Sequence, residues 1–228
     1  MRTCGGTEAL SETMYHSGLT SDPRSVCERL SSRGLGPRFL VGFSLGANVA
    51  LKLAGELGAS DLLSGICAIS APIDLATCVR AIDRPVNLVY ARRFVSRLSD
   101  RIRRKNALSP GIYHIADLAK VNSIWTFDDT FTAPLFGFGT AANYYATQSA
   151  SNFLSAIRIP TLAITAQDDP LVPFEIYRHE AFERNEALTL LAPRYGGHLG
   201  FLSRARPRFW LDNICLDWID KISPRLGR

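Results

Sequence analysis

The stretch RFLVGFSLGANVALKLAGEL, Arg38–Leu57, decides the fold of this chain. Its first six residues form an apolar run that is typical of a buried parallel strand. The residues that follow place an apolar side chain at every fourth position, which predicts one face of a helix over Leu45–Leu57. Strand and helix meet at a G-x-S-x-G motif, Gly42-Phe43-Ser44-Leu45-Gly46.

A serine at such a junction lies on a strained turn that lifts its hydroxyl above the edge of the sheet. The glycines leave room where side chains would clash with the turn and the neighbouring helix. The N-terminus of the helix directs its partial positive charge and free N–H groups toward the serine. Ser44 is therefore a candidate nucleophile; the alternative is an ordinary glycine-rich turn between a strand and a helix.

Similar patterns recur along the chain. Further apolar runs predict buried strands at Gly65–Ser70, Thr161–Ala166 and Ala187–Ala192. Helices are predicted at Asp22–Arg33, with an N-cap aspartate followed by Pro23, and at Arg208–Ile222. This alternation predicts an α/β fold with a mostly parallel sheet and flanking helices. Residues 83–155 lack a convincing strand and predict a helical cap inserted between core segments 1–82 and 156–228.

A serine hydroxyl needs a base to take its proton. In folds of this type the acid and the histidine follow the serine in the chain, in that order. His198 lies in a glycine-rich loop after the last predicted strand. His179 lies in a charged helical stretch and is expected to face solvent, and His16 and His114 are expected to be structural or on the surface.

Gln167-Asp168-Asp169-Pro170 directly follows the third predicted strand, at the end of the sheet where catalytic loops lie. Asp169 begins a D-x-x-V-P run, so it is preferred as the acid that orients His198. Asp168 is the alternative acid, and otherwise it would cap the loop or the next helix.

The composition of the chain restricts the class of protein to which it can belong. The chain is 46% hydrophobic and 21% charged, as in globular proteins. No apolar run is long enough to span a bilayer, and the first residues lack a secretory pattern. The five cysteines show no CxxC spacing, so we expect reduced thiols, a cytoplasmic location and no metal or cofactor.

The positive charge is local. The formal net charge is +5, but the segment from Arg84 to Lys105 alone carries +7, so the rest of the chain is near −2. The apolar positions of this segment predict an amphipathic helix whose other face carries the arginines. This face is either simply solvated or a peripheral contact with anionic lipid. Nucleic acid is not an expected partner, because no recognised binding motif accompanies the charge.

A series of motifs across nearly the whole chain resembles the YheT-like (EMB8, or AB-hydrolase-4) family of α/β-hydrolases. The motifs are Cys4-Gly5-Gly6, Tyr15-His16-Ser17-Gly18, Gly42-Phe43-Ser44-Leu45-Gly46-Ala47-Asn48, Ser70-Ala71-Pro72-Ile73-Asp74-Leu75, Phe127-Asp128-Asp129, Thr132-Ala133-Pro134, Gly137-Phe138, Asn143-Tyr144-Tyr145, Asp168-Asp169-Pro170 and Gly196-Gly197-His198-Leu199-Gly200-Phe201. The resemblance implies the α/β-hydrolase fold and an esterase or acylglycerol-lipase-like activity on a small-molecule or lipid ester. It also implies a triad of Ser44, one of the paired aspartates and His198. Asp128-Asp129 and Tyr144-Tyr145 would pack and hydrogen-bond within the cap or shape the substrate pocket.

The chain departs from this family at its N-terminus. Family members carry, upstream of the point equivalent to Cys4-Gly5-Gly6, the first strands of the sheet and a His-Gly-containing oxyanion loop. We therefore expect an N-terminally truncated hydrolase. The start site is misplaced, the chain is a fragment, or the gene is degenerate, and these three alternatives remain open. The Leu45 N–H remains as one oxyanion donor, and Arg38–Phe43 becomes an apolar edge strand prone to association.

Two functional hypotheses follow. The first is a serine hydrolase that cleaves carboxylic esters through an acyl-enzyme on Ser44. The second is a catalytically impaired α/β-hydrolase fragment that acts as a binding or scaffold module. The complete set of triad residues favours the first, and the short N-terminus favours the second.

Overall fold

The computed structural model of this chain describes residues 1–204, 206 and 208–223. The chain divides into two compact units. The sheet unit consists of Ser17–Asp74 and Ser149–Arg228, and the helical unit consists of Met1–His16 and Leu75–Gln148.

Within the described residues, the sheet unit contains four parallel strands in the order β1-β2-β3-β4. They are β1 Phe39–Phe43, β2 Gly65–Ile69, β3 Thr161–Ile164 and β4 Leu188–Leu191. Phe43, Ile69, Ile164 and Leu191 lie side by side, so the carboxyl ends of all four strands form one edge. The predicted parallel sheet is confirmed, although each strand is one or two residues shorter than predicted.

Helices cover both faces of this sheet. They are α1 Ser21–Ser32, α2 Leu45–Leu57, α8 Ala181–Arg184 and α9 Trp210–Ile222, with 3-10 helices at Ala150–Ala156 and Phe174–Tyr177. Helix α2 packs against the face to which Gly42 points, since a Cβ on Gly42 would meet the backbone of Gly46 and Ala47. Helix α9 packs on the opposite face, where Leu211 and Cys215 join a buried cluster with Cys67 and Ile69. The predicted flanking helices are therefore confirmed, and α2 has the predicted bounds.

The start of α1 differs from the prediction. Thr20 occupies the N-cap position, and Asp22 lies inside the first turn. The Thr20 hydroxyl does not cap the helix, because it donates to the Glu56 carboxylate at 2.7 Å. A contact with α2 thus replaces the predicted local cap by Asp22.

The helical unit, which the structure describes in full, contains no strand. Its α-helices are α3 Leu75–Ile82, α4 Leu88–Leu108, α5 Ile124–Phe127, α6 Ala133–Leu135 and α7 Ala141–Gln148. Its 3-10 helices are Glu8–Leu10, Pro85–Asn87 and Ile115–Lys120, and Asp128–Thr132 is a π-helical turn.

The bounds of the helical unit differ from the predicted insertion at 83–155. The unit begins at Leu75, ends at Gln148 and includes Met1–His16. Several contacts attach the N-terminal residues to it, including hydrogen bonds to the backbone of these residues. The Met14 N–H donates to the Tyr113 hydroxyl at 3.2 Å, and the Lys105 ammonium donates to the backbone carbonyl of Glu8 at 3.0 Å.

None of the described helices is both long enough and apolar enough to cross a membrane. The longest of them, α4, has 21 residues and is amphipathic rather than apolar all round.

Candidate active site

Ser44 lies on the turn between β1 and α2. Its backbone has φ 51° and ψ −123°, a strained conformation for a residue with a side chain. The Ser44 N–H donates to the Ile69 carbonyl at 2.8 Å, which attaches the turn to the end of β2. A Cβ on Gly42 would lie 2.5 Å from the Gly46 carbonyl oxygen, so the close approach of β1 and α2 requires glycine there. The steric reason predicted for Gly42 is confirmed.

His198 contacts the Ser44 hydroxyl directly. The His198 Nε2 lies 2.8 Å from Ser44 Oγ, and the other ring nitrogen, Nδ1, lies 2.8 Å from Asp169 Oδ2. The Asp169 side chain is fully buried, whereas 19% of the His198 side chain is exposed. The three side chains thus form a continuous hydrogen-bonded chain that runs from a buried carboxylate to a serine hydroxyl.

Asp169 is fixed by its own loop. Its second carboxylate oxygen, Oδ1, accepts hydrogen bonds from the N–H groups of Leu171 at 2.9 Å and Val172 at 3.1 Å. Since these bonds immobilise the carboxylate, Oδ2 keeps a single direction toward His198. The loop follows β3, as the sequence predicts.

Asp168 makes a different set of contacts. Its Oδ1 accepts the N–H groups of Gly196 at 2.9 Å and Gly197 at 2.8 Å, in the loop that carries His198. Of the two aspartates considered as the acid, Asp169 is the one next to the imidazole. Asp168 instead binds the backbone on the N-terminal side of His198.

Ser70 is a residue at this site that sequence reasoning did not single out. It follows β2 directly, is fully buried and has φ 50°. Its hydroxyl donates to the backbone carbonyl of His198 at 2.5 Å. A serine immediately after a buried strand, at the same sheet edge as Ser44, was the feature that could have revealed it.

Leu45 is the first residue of α2. The first N–H groups of a helix have no acceptor within it, so the Leu45 N–H is free to donate to an oxygen beside Ser44. The positive end of the helix dipole favours a negative oxygen at that point. This is the position predicted for an oxyanion donor.

The other three histidines have environments that differ from that of His198. His16 is buried and packs against the ring of Phe136, with centroids 4.6 Å apart. His114 is exposed. His179 is half-buried rather than solvent-facing, because its Nδ1 accepts the N–H of Ala181 at 3.1 Å at the start of α8.

The paired acids Asp128 and Asp129 serve contacts within the helical unit. The Tyr145 hydroxyl and the Thr132 hydroxyl each donate to the Asp128 carboxylate at 2.6 Å. Burial raises the pKa of Asp128 to about 6. Asp129 accepts the Ala141 N–H at 2.8 Å, at the start of α7. These contacts agree with the packing and hydrogen-bonding interpretation of both pairs.

Comparison with known proteins places these features in a family. The model of the alpha/beta hydrolase family matches residues 2–210. YheT of Escherichia coli (strain K12), named as an esterase, is 32% identical over 96% of this chain and 65% of its own length. A monoacylglycerol lipase of Saccharomyces cerevisiae is 31% identical over 94% of this chain and 49% of its own length. The chain therefore spans between about half and two thirds of these curated relatives.

Among solved structures, 2,6-dihydroxy-pseudo-oxynicotine hydrolase is similar with a TM-score of 0.54 and 19% identity. The similarity covers 91% of this chain and 47% of that one, and it concerns the fold alone. With four parallel strands, helices on both faces and a family match over residues 2–210, this chain belongs to the alpha/beta hydrolase family.

Proposed function

We propose that this protein is a serine hydrolase that cleaves carboxylic esters through an acyl-enzyme on Ser44. The observation that carries the proposal is the pair of 2.8 Å contacts that link Ser44 to His198 and His198 to Asp169. The strained backbone of Ser44 supports it, since strain of this kind concentrates at functional sites.

In the proposed mechanism, Ser44 Oγ attacks the carbonyl carbon of the ester while His198 Nε2 takes the hydroxyl proton. The carbonyl oxygen becomes an oxyanion that accepts a hydrogen bond from the Leu45 N–H. Collapse of this tetrahedral intermediate breaks the bond to the alcohol, which receives the proton from His198. A water molecule, deprotonated by His198, then releases the acid from Ser44.

Asp169 is assigned as the residue that orients the imidazole. Its carboxylate accepts a hydrogen bond from the Nδ1–H group, so Nε2 is left unprotonated and ready to act as a base. The charge of Asp169 also stabilises the imidazolium that forms during attack. Asp168 and Ser70 are positioning residues, because they contact the backbone of the His198 loop and not the imidazole.

Esters of fatty acids with small alcohols are the substrate class that we propose. The support is that one relative is named as an esterase and another as a monoacylglycerol lipase. The Leu45 N–H is the donor that we propose for the oxyanion, and loss of one such donor costs about 100- to 1000-fold in rate.

A binding or scaffold module without catalysis is the second candidate. The observation that favours it is the exposure of β1, which has one strand neighbour among the described residues. Val41 is 39% exposed and Phe43 is 47% exposed on this edge strand, so an apolar surface is available to a partner.

Fluorophosphonate labelling and hydrolysis of short p-nitrophenyl esters distinguish the two candidates. We expect the wild-type chain to be labelled and active, and Ser44→Ala and His198→Ala to lose both properties. Ser25→Ala is the matched control, since Ser25 is exposed on α1. Equal hydrolysis by wild type and Ser44→Ala, or a folded wild-type chain that is not labelled, would rule out the esterase and leave the binding module.

We also propose a cytoplasmic location. The support is that all five cysteines, four of them buried, are free thiols. Cell fractionation with thiol titration tests this proposal. Recovery of the protein from an oxidising compartment with disulfide bonds would contradict it.

A further inference from the structure

Helix α4 and the 3-10 turn before it, Pro85–Asn87, have a sharply divided surface. One side, which includes Ala91, Ile102 and Lys105, is buried in the helical unit. Val89, Arg93 and Arg97 follow one another at steps of four residues, so they form a single stripe on the opposite side of α4, and Val86 lies in the turn that precedes it. This outer stripe is apolar at its N-terminal end and basic farther along.

The apolar end is unusually exposed. Val86 is 82% exposed and Val89 is 80% exposed. Three larger apolar side chains near them in the sequence also keep at least a third of their surface in solvent, namely Leu88, Tyr90 and Phe94. Isolated exposed apolar residues are common, but a contiguous group of this kind marks a surface that another apolar phase covers.

The basic side chains next to this end are free of partners. Arg84, Arg92, Arg93 and Arg97 are exposed, and their side chains make no hydrogen bond or ion pair within the described residues. The basic residues farther along α4 are engaged within the helical unit. Arg101 lies over the Tyr15 ring at 5.0 Å, Arg103 pairs with Asp100 at 2.7 Å, and Lys105 binds the carbonyl of Glu8 at 3.0 Å.

We infer that the N-terminal half of α4 with its preceding turn binds the surface of an anionic phospholipid bilayer. The apolar side chains enter the boundary between headgroups and acyl chains, and the four free arginines contact the lipid phosphates. Two observations identify this partner. Charge alone would suit any polyanion, but an exposed apolar group next to free arginines suits an interface that is itself apolar beneath an anionic layer.

The helix would lie in the interface and would not span it, because no described helix is able to cross a membrane. Val89 and Arg97 are separated by about 12 Å along the helix axis, so the apolar and basic parts of the outer stripe reach the same patch of headgroups. The inference does not depend on catalysis, since Ser44 belongs to the sheet unit and α4 to the helical unit.

Vesicle co-sedimentation of the 228-residue chain tests the inference. The probes are vesicles of phosphatidylcholine alone and vesicles of phosphatidylcholine mixed with phosphatidylglycerol. We expect binding to the mixed vesicles only. Each basic side chain near such a surface contributes about fivefold in affinity, so Arg93→Gln with Arg97→Gln should weaken binding about 30-fold. Arg29→Gln with Arg33→Gln is the control, with the same loss of charge on exposed positions around the end of α1.

A second pair of variants separates lipid from other polyanions. Val86→Ser with Val89→Ser removes the apolar end without changing charge, and we expect at least a tenfold loss of binding to the mixed vesicles. Equal binding to both vesicle types, no effect of the arginine pair, or no effect of the valine pair would each overturn the inference. Tighter binding to duplex DNA than to the mixed vesicles would also overturn it. The Ser44→Ala chain should bind vesicles like wild type, so failure of the proposed esterase and failure of this inference are separately visible.

Discussion

At the scale of single residues, the two adjacent carboxylates at the end of β3 bind different parts of the His198 loop. Asp169 contacts the His198 ring at 2.8 Å, and Asp168 binds the N–H groups of Gly196 and Gly197. Ser70 binds the carbonyl of His198 from the end of β2. Asp169 thus orients the imidazole, and Asp168 and Ser70 anchor the backbone of the loop that carries His198.

Substitution of each aspartate should separate these tasks. Asp169→Asn replaces the carboxylate that accepts the hydrogen bond from Nδ1–H with a neutral amide. We expect the kcat of ester hydrolysis to fall about 10,000-fold. Asp168→Ala removes two charge-assisted hydrogen bonds to the loop, so we expect a smaller fall of roughly 10- to 100-fold. Asp168→Asn keeps an acceptor oxygen and should recover most of the activity. Steady-state kinetics give the result, and a larger loss for Asp168→Ala than for Asp169→Asn would reverse the assignment.

At the scale of secondary-structure elements, β1 combines the nucleophile turn with an unprotected edge. One face of β1 packs on α2, and Val41 and Phe43 on the other face are exposed. Natural edge strands avoid association by carrying charged side chains, and β1 has none between Phe39 and Phe43.

We expect the wild-type chain to self-associate as its concentration rises, through β1. Val41→Lys places a charge on the exposed face of the strand and should reduce this association. Sedimentation velocity over a range of concentrations measures the effect. Val26→Lys on α1 is the matched control, since Val26 is 59% exposed and lies outside the sheet. A monomeric wild type at every concentration, or equal association of both variants and wild type, would contradict the prediction.

The π-helical turn Asp128–Thr132 makes the stability of the helical unit depend on pH. Burial raises the pKa of Asp128 from 3.8 to about 6, so the folded chain binds this proton more tightly than the unfolded chain. The contribution of Asp128 to the free energy of unfolding should therefore be largest at low pH and fall as the pH rises toward about 6. The expected decrease is on the order of 1 to 3 kcal/mol.

Denaturant unfolding of wild type and Asp128→Asn as a function of pH tests this expectation. Asparagine keeps the shape of the side chain but does not ionise, so the variant should lack this component of the pH dependence. The difference between the two curves isolates Asp128 from the other carboxyl groups. Parallel curves for the two proteins between pH 3.8 and about 6 would show that Asp128 does not carry the effect.

At the scale of the whole molecule, the catalytic candidates and the basic surface belong to different units. Ser44, Asp169 and His198 come from three loops at one edge of the sheet unit, whereas the segment Arg84–Lys105 belongs to the helical unit. The net charge of +5 hides this division, because that segment carries +7 and the rest of the chain is near −2.

Because the excess charge is local, vesicle binding should be strongly sensitive to salt. The Debye length falls from about 10 Å at 0.1 M to about 3 Å at 1 M ionic strength, so the attraction to anionic vesicles should be largely lost over this range. Hydrolysis of a soluble p-nitrophenyl ester should change much less, since the triad contacts are 2.8 Å long. Co-sedimentation and ester hydrolysis, measured in the same salt series, give both dependences. A salt series without effect on vesicle binding would contradict the electrostatic part of the inference.

The sequence by itself determined the local structure around Ser44. The alternation of apolar runs and helical periodicity predicted four parallel strands and the bounds of α2, because these patterns depend on which side chains a strand or helix buries. The need for glycine at Gly42 also follows from neighbouring residues alone. His198 could be singled out by its position after the last strand, although its catalytic role stays a prediction.

Only the tertiary structure decided which neighbours meet across long separations in the chain. Asp168 and Asp169 have the same chemistry, and the path of the loop after β3 decides which carboxylate faces an imidazole 29 residues later. The contact of Ser70 with His198 spans 128 residues, so the place of Ser70 after β2 could indicate a residue of the site but not its partner. Met1–His16 likewise joins the helical unit through contacts with α4 and Tyr113. The physical reason is the same in each case. The hydrophobic periodicity of a segment indicates which of its own side chains are buried, but not which distant residues they pack against.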